Sequence, residues 1–337
     1  MRLTVLLSIL LAIPSLAQNS LSRQGDSYVL ENAGKQTVLS VTPSMGNMAR
    51  EMKVKGQNIF ITGTRLLAPW ANRLDETAFY ANGKKYPFNM GLGNVRGPIP
   101  IHGFVGDTPL WQVIEAKTDA KAAWITSQLE FFRQPDWMAQ FPFAHTIQTT
   151  HRLQDGVLEV KTRIFNMSNE PMPVAIGFHP CFHLSDSLRD EWSLSIGART
   201  HWILAATKAA TGETQPIEEF MPNPQAVPLK DYELDDVFGD LVRDSAGRAV
   251  LSVQGKKQKI ELVLGPNYRA AVVYAPRPVP QANPAAPARD PNVVCLEPMA
   301  APTNALNLAH RGLYKELQYI PPGKTWEESF WVRPSGF

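Results

Sequence analysis

Residues 154–164, QDGVLEVKTRI, alternate apolar and polar side chains after an Asp-Gly turn. Leu158, Val160 and Ile164 fall on one face of an extended chain, and the charged residues between them fall on the other. A period of two indicates a half-buried β-strand, and a turn of this composition joins two such strands. The sequence therefore predicts an antiparallel hairpin around residue 155.

The same pattern recurs along the chain, and it predicts hairpins over residues 27–42 and 248–264. No amphipathic helical pattern longer than about two turns interrupts these segments. Residues 275–292 contain six prolines and few apolar residues, so they predict an exposed, extended loop rather than a central strand. We therefore expect an all-β chain with one large domain over residues 18–337.

Residues 1–17, MRLTVLLSILLAIPSLA, have a basic start, a short apolar run and a small-x-small ending. This layout is typical of a secretory signal peptide, and the run is too short to cross a bilayer. We therefore expect an exported protein, periplasmic or secreted, with no membrane association after cleavage.

The charge of the chain is nearly balanced, with 33 basic and 31 acidic residues. Removal of residues 1–17 takes away Arg2 alone, which leaves 32 basic against 31 acidic residues. This balance gives no reason to expect nucleic acid or an anionic membrane as a partner. The oligomeric state stays open.

Two short motifs each place one ionisable side chain in an apolar segment: GFHPCF at residues 177–182 and CLEPM at residues 295–299. Burial raises the pKa of a carboxyl group such as Glu297, while histidine titrates near neutrality, as His179 would. An acid and a base of matched strength in one pocket can exchange protons with a neutral ligand. A core histidine is the alternative interpretation of His179.

The two cysteines of the chain, Cys181 and Cys295, lie two residues from His179 and Glu297. If both segments are strands, each cysteine faces the same side as its ionisable neighbour. The thiols should then be neighbours, and an exported chain permits a disulfide. The sequence leaves open whether the bond forms, because it does not give the Cβ geometry.

His179, Cys181 and His183 have His-x-Cys-x-His spacing, which on a strand would place three metal ligands on one face. We do not favour a metal site, because a metal-bound His179 could not donate a proton.

Five short segments stand in a fixed order along the chain: WANRL at residues 70–74, IHGF at 101–104, IGFHPCF at 176–182, LDDVF at 234–238 and CLEPM at 295–299. Asn-Gly-Lys at residues 82–84 and Asn-Ala-Leu-Asn at residues 304–307 accompany them. In this order the segments resemble the aldose 1-epimerase (galactose mutarotase) family, and the resemblance runs from about residue 28 to residue 333.

This resemblance implies a single large β-sandwich that binds an aldose in an open groove and interconverts its α and β anomers. It implies that Glu297 is the general base for the anomeric hydroxyl and that His179 is the general acid for the ring oxygen. His102 would contact the sugar near the ring oxygen. The residues implied to hold other hydroxyl groups are Arg73, Asn72 and Asp235. Because the reaction moves only protons, we expect no metal or redox cofactor.

The chain departs from the family pattern where Cys181 replaces a tyrosine and His183 an asparagine, which leaves the sugar preference open. Arg73 could instead be a structural ion-pair partner, and Asp235 could begin a turn or cap a helix. Trp70 or Trp111 could stack on a sugar. Two other functions remain: a non-catalytic carbohydrate-binding or sensing protein, and a hexose-phosphate epimerase.

Overall fold

The computed structural model describes residues 18–92, 95–96, 98–277 and 292–337. The expected signal peptide, residues 1–17, and residues 278–291 of the proline-rich segment lie outside this part of the chain. The expected start of that segment needs one correction, because Ala275 is the last residue of a buried strand.

Strands account for most of the regular structure. Up to Pro100 they are β1 (Asn19–Gln24), β2 (Ser27–Asn32), β3 (Thr37–Thr42), β4 (Met48–Val54), β5 (Gln57–Asn58), β6 (Phe60–Thr62), β7 (Leu66–Leu67), β8 (Ala78–Ala81), β9 (Lys84–Pro87), β10 (Val95–Arg96) and β11 (Ile99–Pro100). The middle of the chain forms β12 (Gln112–Thr118), β13 (Ala122–Glu130), β14 (His145–Gln154), β15 (Val157–Asn166), β16 (Met172–Val174), β17 (Gly177–Phe178), β18 (Cys181–Phe182), β19 (Ser193–Ile196), β20 (Ala198–Leu204), β21 (Ala210–Pro216) and β22 (Val227–Pro228). The remaining strands are β23 (Leu234–Leu241), β24 (Ala249–Gln254), β25 (Lys259–Leu264), β26 (Ala270–Ala275), β27 (Val294–Met299), β28 (Gln318–Ile320) and β29 (Thr325–Ser335).

The α-helices are short. They are α1 (Pro135–Gln140), α2 (Ile217–Phe220) and α3 (Ala305–His310). Single 3₁₀ turns span Ala33–Lys35, Met90–Leu92, Phe131–Arg133, Arg189–Glu191 and Leu229–Asp231.

Two large sheets dominate the described part of the chain. Sheet I has the strand order β12-β13-β14-β15-β29-β25-β24-β19-β22. Sheet II has the order β21-β20-β23-β26-β27-β17-β7; β18 also pairs with β27, and β6 pairs with β18. A five-stranded sheet, β1 to β5, contacts sheet I at β12, β13 and β14. The three predicted hairpins are confirmed as β2–β3, β14–β15 and β24–β25.

The core lies between the inner faces of the two sheets. Leu158, Val160 and Ile164 of β15 are fully buried there, as their alternation predicts. Phe178 of β17 meets Phe330 of β29 across the core, with 4.9 Å between ring centroids. This packing confirms the predicted β-sandwich, which in its described residues has no helix long and apolar enough to cross a membrane.

The outer face of sheet II carries the polar residues of interest. Along β27, Leu296 enters the core, whereas Cys295, Glu297 and Met299 point to the opposite face because neighbours in a strand alternate. A second apolar cluster covers the middle of this face, where Met299 packs with Leu308 of α3 and with other buried residues. Helix α3 and the segment around it therefore leave separate open regions on the face.

Candidate functional site

A cavity of about 420 Å³ opens on the outer face of sheet II. All six residues singled out from the sequence line it. The lining consists of Thr62, Arg65, Asn72, Arg73, Ile101, His102, His179, Asp235, Tyr274 and Glu297. Seven segments distant in sequence therefore meet at one place.

The His179–Glu297 contact lies at the centre of this cavity. His179 Nε2 lies 3.2 Å from Glu297 Oε1, and the second carboxylate oxygen has no hydrogen-bond partner among the described residues. The backbone of His179 is fixed as well, because its N–H donates to the carbonyl of Arg65 at 3.0 Å. The side chain of Glu297 is only 2% exposed, whereas that of His179 is 25% exposed.

Burial sets the protonation of this pair. It raises the pKa of Glu297 well above its usual value; the nearby charge of Asp235 raises it further, and Arg73 opposes the shift. Burial lowers the pKa of His179 to about 4. Between these two pKa values the pair holds one proton, and both shifts favour Glu297 as its holder. Transfer of this proton across the 3.2 Å contact to His179 Nε2 gives the carboxylate and the imidazolium. The pair can therefore accept a proton at one ligand atom and donate one at another.

A disulfide joins β27, which carries Glu297, to β18, which begins two residues after His179. Cys181 of β18 stands directly opposite Cys295 of β27, with Cα atoms 3.9 Å apart, and their sulfur atoms are bonded. The sequence-based expectation that the thiols are neighbours is confirmed. His179 Nδ1 lies 3.4 Å from the sulfur of Cys181, so the disulfide contacts the imidazole ring.

The bridge also bears on the His-x-Cys-x-His run. A disulfide sulfur carries no thiolate charge, and thiolate is the form of cysteine that binds metals. His183 is oriented elsewhere, since its Nδ1 lies 3.2 Å from the carbonyl of Asn292. The three side chains therefore do not form one ligand set in this structure.

Asn72 and His102 belong to two loops that hold each other by reciprocal hydrogen bonds. The His102 N–H donates to the Asn72 carbonyl at 2.9 Å, and the Asn72 N–H donates to His102 Nδ1 at 3.2 Å. Because Nδ1 accepts, a neutral His102 carries its proton on Nε2, which is then the donor of the ring. Both residues have left-handed backbones, with φ of 56° and 64°.

Arg73 is held on its side-chain and backbone atoms. Its Nη2 lies 3.1 Å from Asp235 Oδ2, and its Nη1 donates to Asn72 Oδ1 at 2.9 Å. The hydroxyl of Thr303 accepts the N–H of Arg73 at 3.1 Å and donates to its carbonyl at 2.9 Å. Arg73 therefore forms the ion pair that was the alternative to sugar binding. Because both partners line the cavity, the pair does not exclude contact with a ligand. Asp235 lies in β23, so it neither begins a turn nor caps a helix.

Several residues that line the cavity were not predicted from the sequence. Arg65 forms an ion pair with Asp107 at the cavity wall, and Thr62 donates its hydroxyl to the carbonyl of His179 at 3.3 Å. Tyr274 stands opposite Cys295 in the register of β26 and β27. Strand pairing beside the cysteine motif is the signal that could have identified Tyr274, whereas nothing in the local sequence marks Arg65.

The expected tryptophan platforms are wrong. Trp70 is 0% exposed and Trp111 is 5% exposed, and neither lines the cavity. The ring of Trp70 packs against Phe88, with 4.4 Å between centroids, and against Phe104, with 5.3 Å. Apolar contact inside the sandwich therefore accounts for Trp70.

Several solved structures share this architecture. A galactose mutarotase-like protein from Clostridium acetobutylicum superposes with a TM-score of 0.77 at 18% identity, covering 95% of this chain and 98% of that one. The Slr1438 protein from Synechocystis sp. PCC 6803 has a TM-score of 0.70 at 24% identity, covering 97% and 100%. Galactose 1-epimerase from Lactobacillus acidophilus has a TM-score of 0.73 at 13% identity, covering 95% and 98%. These identities establish a shared fold.

A match to a family model shows to which family the chain belongs. The model described as Aldose 1-epimerase matches residues 37–332, which include the sandwich and all six residues predicted from the sequence. The chain belongs to the aldose 1-epimerase family.

Proposed function

We propose that this protein interconverts the α and β anomers of a free aldose by opening and reclosing the sugar ring. Membership in the aldose 1-epimerase family supports a sugar epimerase or mutarotase role. The observation that carries the specific proposal is the His179–Glu297 contact of 3.2 Å inside a cavity lined by hydroxyl-binding groups. A binding protein has no need of a buried acid–base pair that shares one proton.

In the proposed reaction, the carboxylate of Glu297 takes the proton of the anomeric hydroxyl while His179 gives a proton to the ring oxygen. The bond between C1 and the ring oxygen breaks, and C1 becomes an aldehyde carbon. Rotation about the C1–C2 bond exposes the other face of the aldehyde. On reclosure Glu297 gives its proton to the aldehyde oxygen, and His179 takes the proton of the hydroxyl group that becomes the ring oxygen again, so the pair ends with the single proton that it held at the start.

The other polar groups would position the sugar. The proposed contacts of Arg73 and Asn72 are with hydroxyl oxygens, and Asp235 would accept from hydroxyl groups. His102 would donate from Nε2 near the ring oxygen. Because Thr303 fixes the backbone of Arg73, and the loops of Asn72 and His102 fix each other, these groups are held before a sugar arrives.

The charges favour a neutral sugar over a hexose phosphate. The two arginines of the cavity are each paired with a carboxylate, Arg73 with Asp235 and Arg65 with Asp107. A phosphate would have to displace one of these carboxylates, whereas hydroxyl groups can bind beside them. The hexose-phosphate epimerase is therefore the weaker alternative.

The direct test is NMR of freshly dissolved α-glucose, α-galactose, xylose and arabinose with the purified protein. We expect faster approach to anomeric equilibrium for at least one of these sugars, and none for glucose 6-phosphate. Saturable binding of a sugar without acceleration would instead support the carbohydrate-binding alternative. Acceleration for the phosphate ester alone would support the hexose-phosphate alternative.

We also propose that the protein is exported to the periplasm or beyond the cell. The composition of residues 1–17 supports this location, and so does the Cys181–Cys295 bridge, since disulfides persist in oxidising compartments. Cell fractionation with N-terminal sequencing tests the proposal. A protein that keeps Met1 and stays in the cytosolic fraction would contradict it.

A further inference from the structure

A second cavity, of about 670 Å³, opens on the outer face of sheet II away from the His179–Glu297 site. Strand β23 links the two regions, because Asp235 lines the first cavity and Gly239 lines the second. Four residues of strand separate them by roughly 13 Å. The apolar cluster that includes Val237 and Leu308 lies on the same face between them, so the two cavities are distinct.

Positive charge predominates in the second cavity. Its basic lining residues are Arg199, Arg243, Arg269 and Lys315, against the two acidic residues Asp240 and Glu316. Asp240 is already paired with Arg199 at 3.3 Å. Glu316 therefore faces three cations that form no ion pair among the described residues.

The positive charges of Arg243 and Arg269 lie close enough to repel each other. Three backbone carbonyls hold the Arg243 guanidinium, those of Gly247 at 2.9 Å, Gly265 at 3.4 Å and Tyr268 at 2.7 Å. Burial lowers the pKa of Arg243 and the nearby charge of Arg269 lowers it further, while the charges of Glu328, Asp240 and Glu316 oppose the shift. An anion between these guanidinium groups would relieve their repulsion.

Two aromatic side chains supply further donors. Trp202 and Tyr314 line the cavity in an edge-to-face contact, with 5.9 Å between centroids, and each residue is 8% exposed. The indole N–H and the phenol hydroxyl are buried without a hydrogen-bond partner among the described residues. Trp202 Nε1 lies against Gly239, where an added Cβ would approach within 2.7 Å. A ligand oxygen that bonds to either donor would remove the cost of leaving a buried polar group unpaired.

We propose that this second cavity binds an oxyanion, the phosphate or carboxylate group of a small molecule, between Arg269, Arg243 and Lys315. Backbone carbonyls fix the Arg243 guanidinium, whereas Arg269 and Lys315 are exposed residues that supply positive charge at the mouth. The ligand fits by charge and by donor geometry, and the site does not depend on the mutarotase proposal.

Isothermal titration of inorganic phosphate into the full-length protein at low ionic strength tests this site. Sodium glucuronate and neutral glucose are titrated in parallel, and all titrations are repeated with Glu297→Gln. We expect phosphate, glucuronate or both to bind in the Glu297→Gln protein as tightly as in the wild type. Binding of only one of the two anions identifies the type of oxyanion.

Charge-matched variants locate the binding. Arg269→Gln should weaken anion binding about tenfold or more, because a hydrogen-bonded charge is lost. Lys315→Gln should weaken it less, and because this lysine is exposed the variant should fold normally. Arg133→Gln removes the same charge outside the cavity, at a side chain that is 65% exposed, and should leave binding unchanged.

Three results would overturn the proposal. They are no binding of either anion, equal binding in Arg269→Gln and Arg133→Gln, and loss of neutral glucose binding in Arg269→Gln. The last result would mean that the cavity binds sugar rather than an anion. Because no measurement here uses turnover, failure of this site and failure of the mutarotase proposal are distinguishable.

Discussion

The two cavities on sheet II use the same residue types to opposite effect. In the first, each arginine is paired with a carboxylate, and the titrating pair shares one proton. In the second, Arg243, Arg269 and Lys315 face one glutamate. The presence of arginine alone would assign both regions to anionic ligands. The difference teaches that pairing, rather than the number of arginines, decides whether a cavity suits a neutral or an anionic ligand.

Replacement of Glu297 should have the largest effect on anomer exchange at the first cavity and should leave anion binding at the second cavity unchanged. Glu297→Gln keeps the shape but removes the base, so mutarotation should slow by roughly 10²–10⁴-fold. NMR of anomer exchange measures the rate, and phosphate titration of the second cavity serves as the control. Exchange at the wild-type rate would show that Glu297 is not the base.

Replacement of Asp235 should make the first cavity resemble the second. Asp235→Asn leaves Arg73, whose side chain is only 8% exposed, without its carboxylate. We expect kcat/KM for the aldose to fall roughly 10–100-fold, because one charged hydrogen bond is lost. Inhibition by glucuronate should strengthen at the same time. Unchanged inhibition would contradict the idea that pairing excludes anions from this cavity.

The pH profile should report the shared proton of the first cavity. Below a pKa of about 4, His179 and Glu297 both carry protons, so the base is lost and the rate should fall about tenfold per pH unit. At high pH the pair loses its remaining proton at the raised pKa of Glu297, and the acid is lost. Because Asp235 raises that pKa, Asp235→Asn should move the alkaline limb to lower pH. A flat profile, or an alkaline limb that does not move, would contradict this assignment.

Removal of the disulfide should affect stability more than chemistry. The double variant Cys181→Ala/Cys295→Ala should lose roughly 2–5 kcal/mol in its free energy of unfolding, measured with denaturant. We expect the mutarotation rate to fall less than tenfold, since backbone pairing of β18 with β27 remains. As a control, dithiothreitol should leave the stability and the rate of this variant unchanged, because both cysteines of the chain have been replaced. A rate loss as large as that of Glu297→Gln would mean that the bridge is essential to the geometry.

Chelation should have the smallest effect. We expect 1 mM EDTA, a concentration on the order of that used in routine assays, to leave the anomer-exchange rate unchanged, because the proposed steps move only protons. Loss of activity that zinc restores would revive the metal interpretation of His179.

Patterns that repeat within one strand made much of this molecule predictable. Alternation along β15 predicted a sheet face, and two ionisable residues in apolar segments, each two residues from a cysteine, predicted that His179 and Glu297 share one pocket. Arg65 could not be predicted, because it reaches the cavity through a backbone contact with His179 that leaves no local pattern. The second cavity was missed for a similar reason. Its cations come from separate strands and loops, and only the tertiary packing brings them together.

The left-handed backbones of Asn72 and His102 have a consequence for mutational scanning. Alanine at His102, where φ is 64°, would add backbone strain to the loss of the imidazole, so its effect would overstate the chemistry. Asparagine tolerates this conformation better and is the fairer probe. Gly103 is more restricted still, since a Cβ there would lie 2.0 Å from the carbonyl oxygen of Ala68. In a saturation library over residues 102–103, loss of activity would therefore report backbone strain at least as strongly as loss of contacts with a sugar.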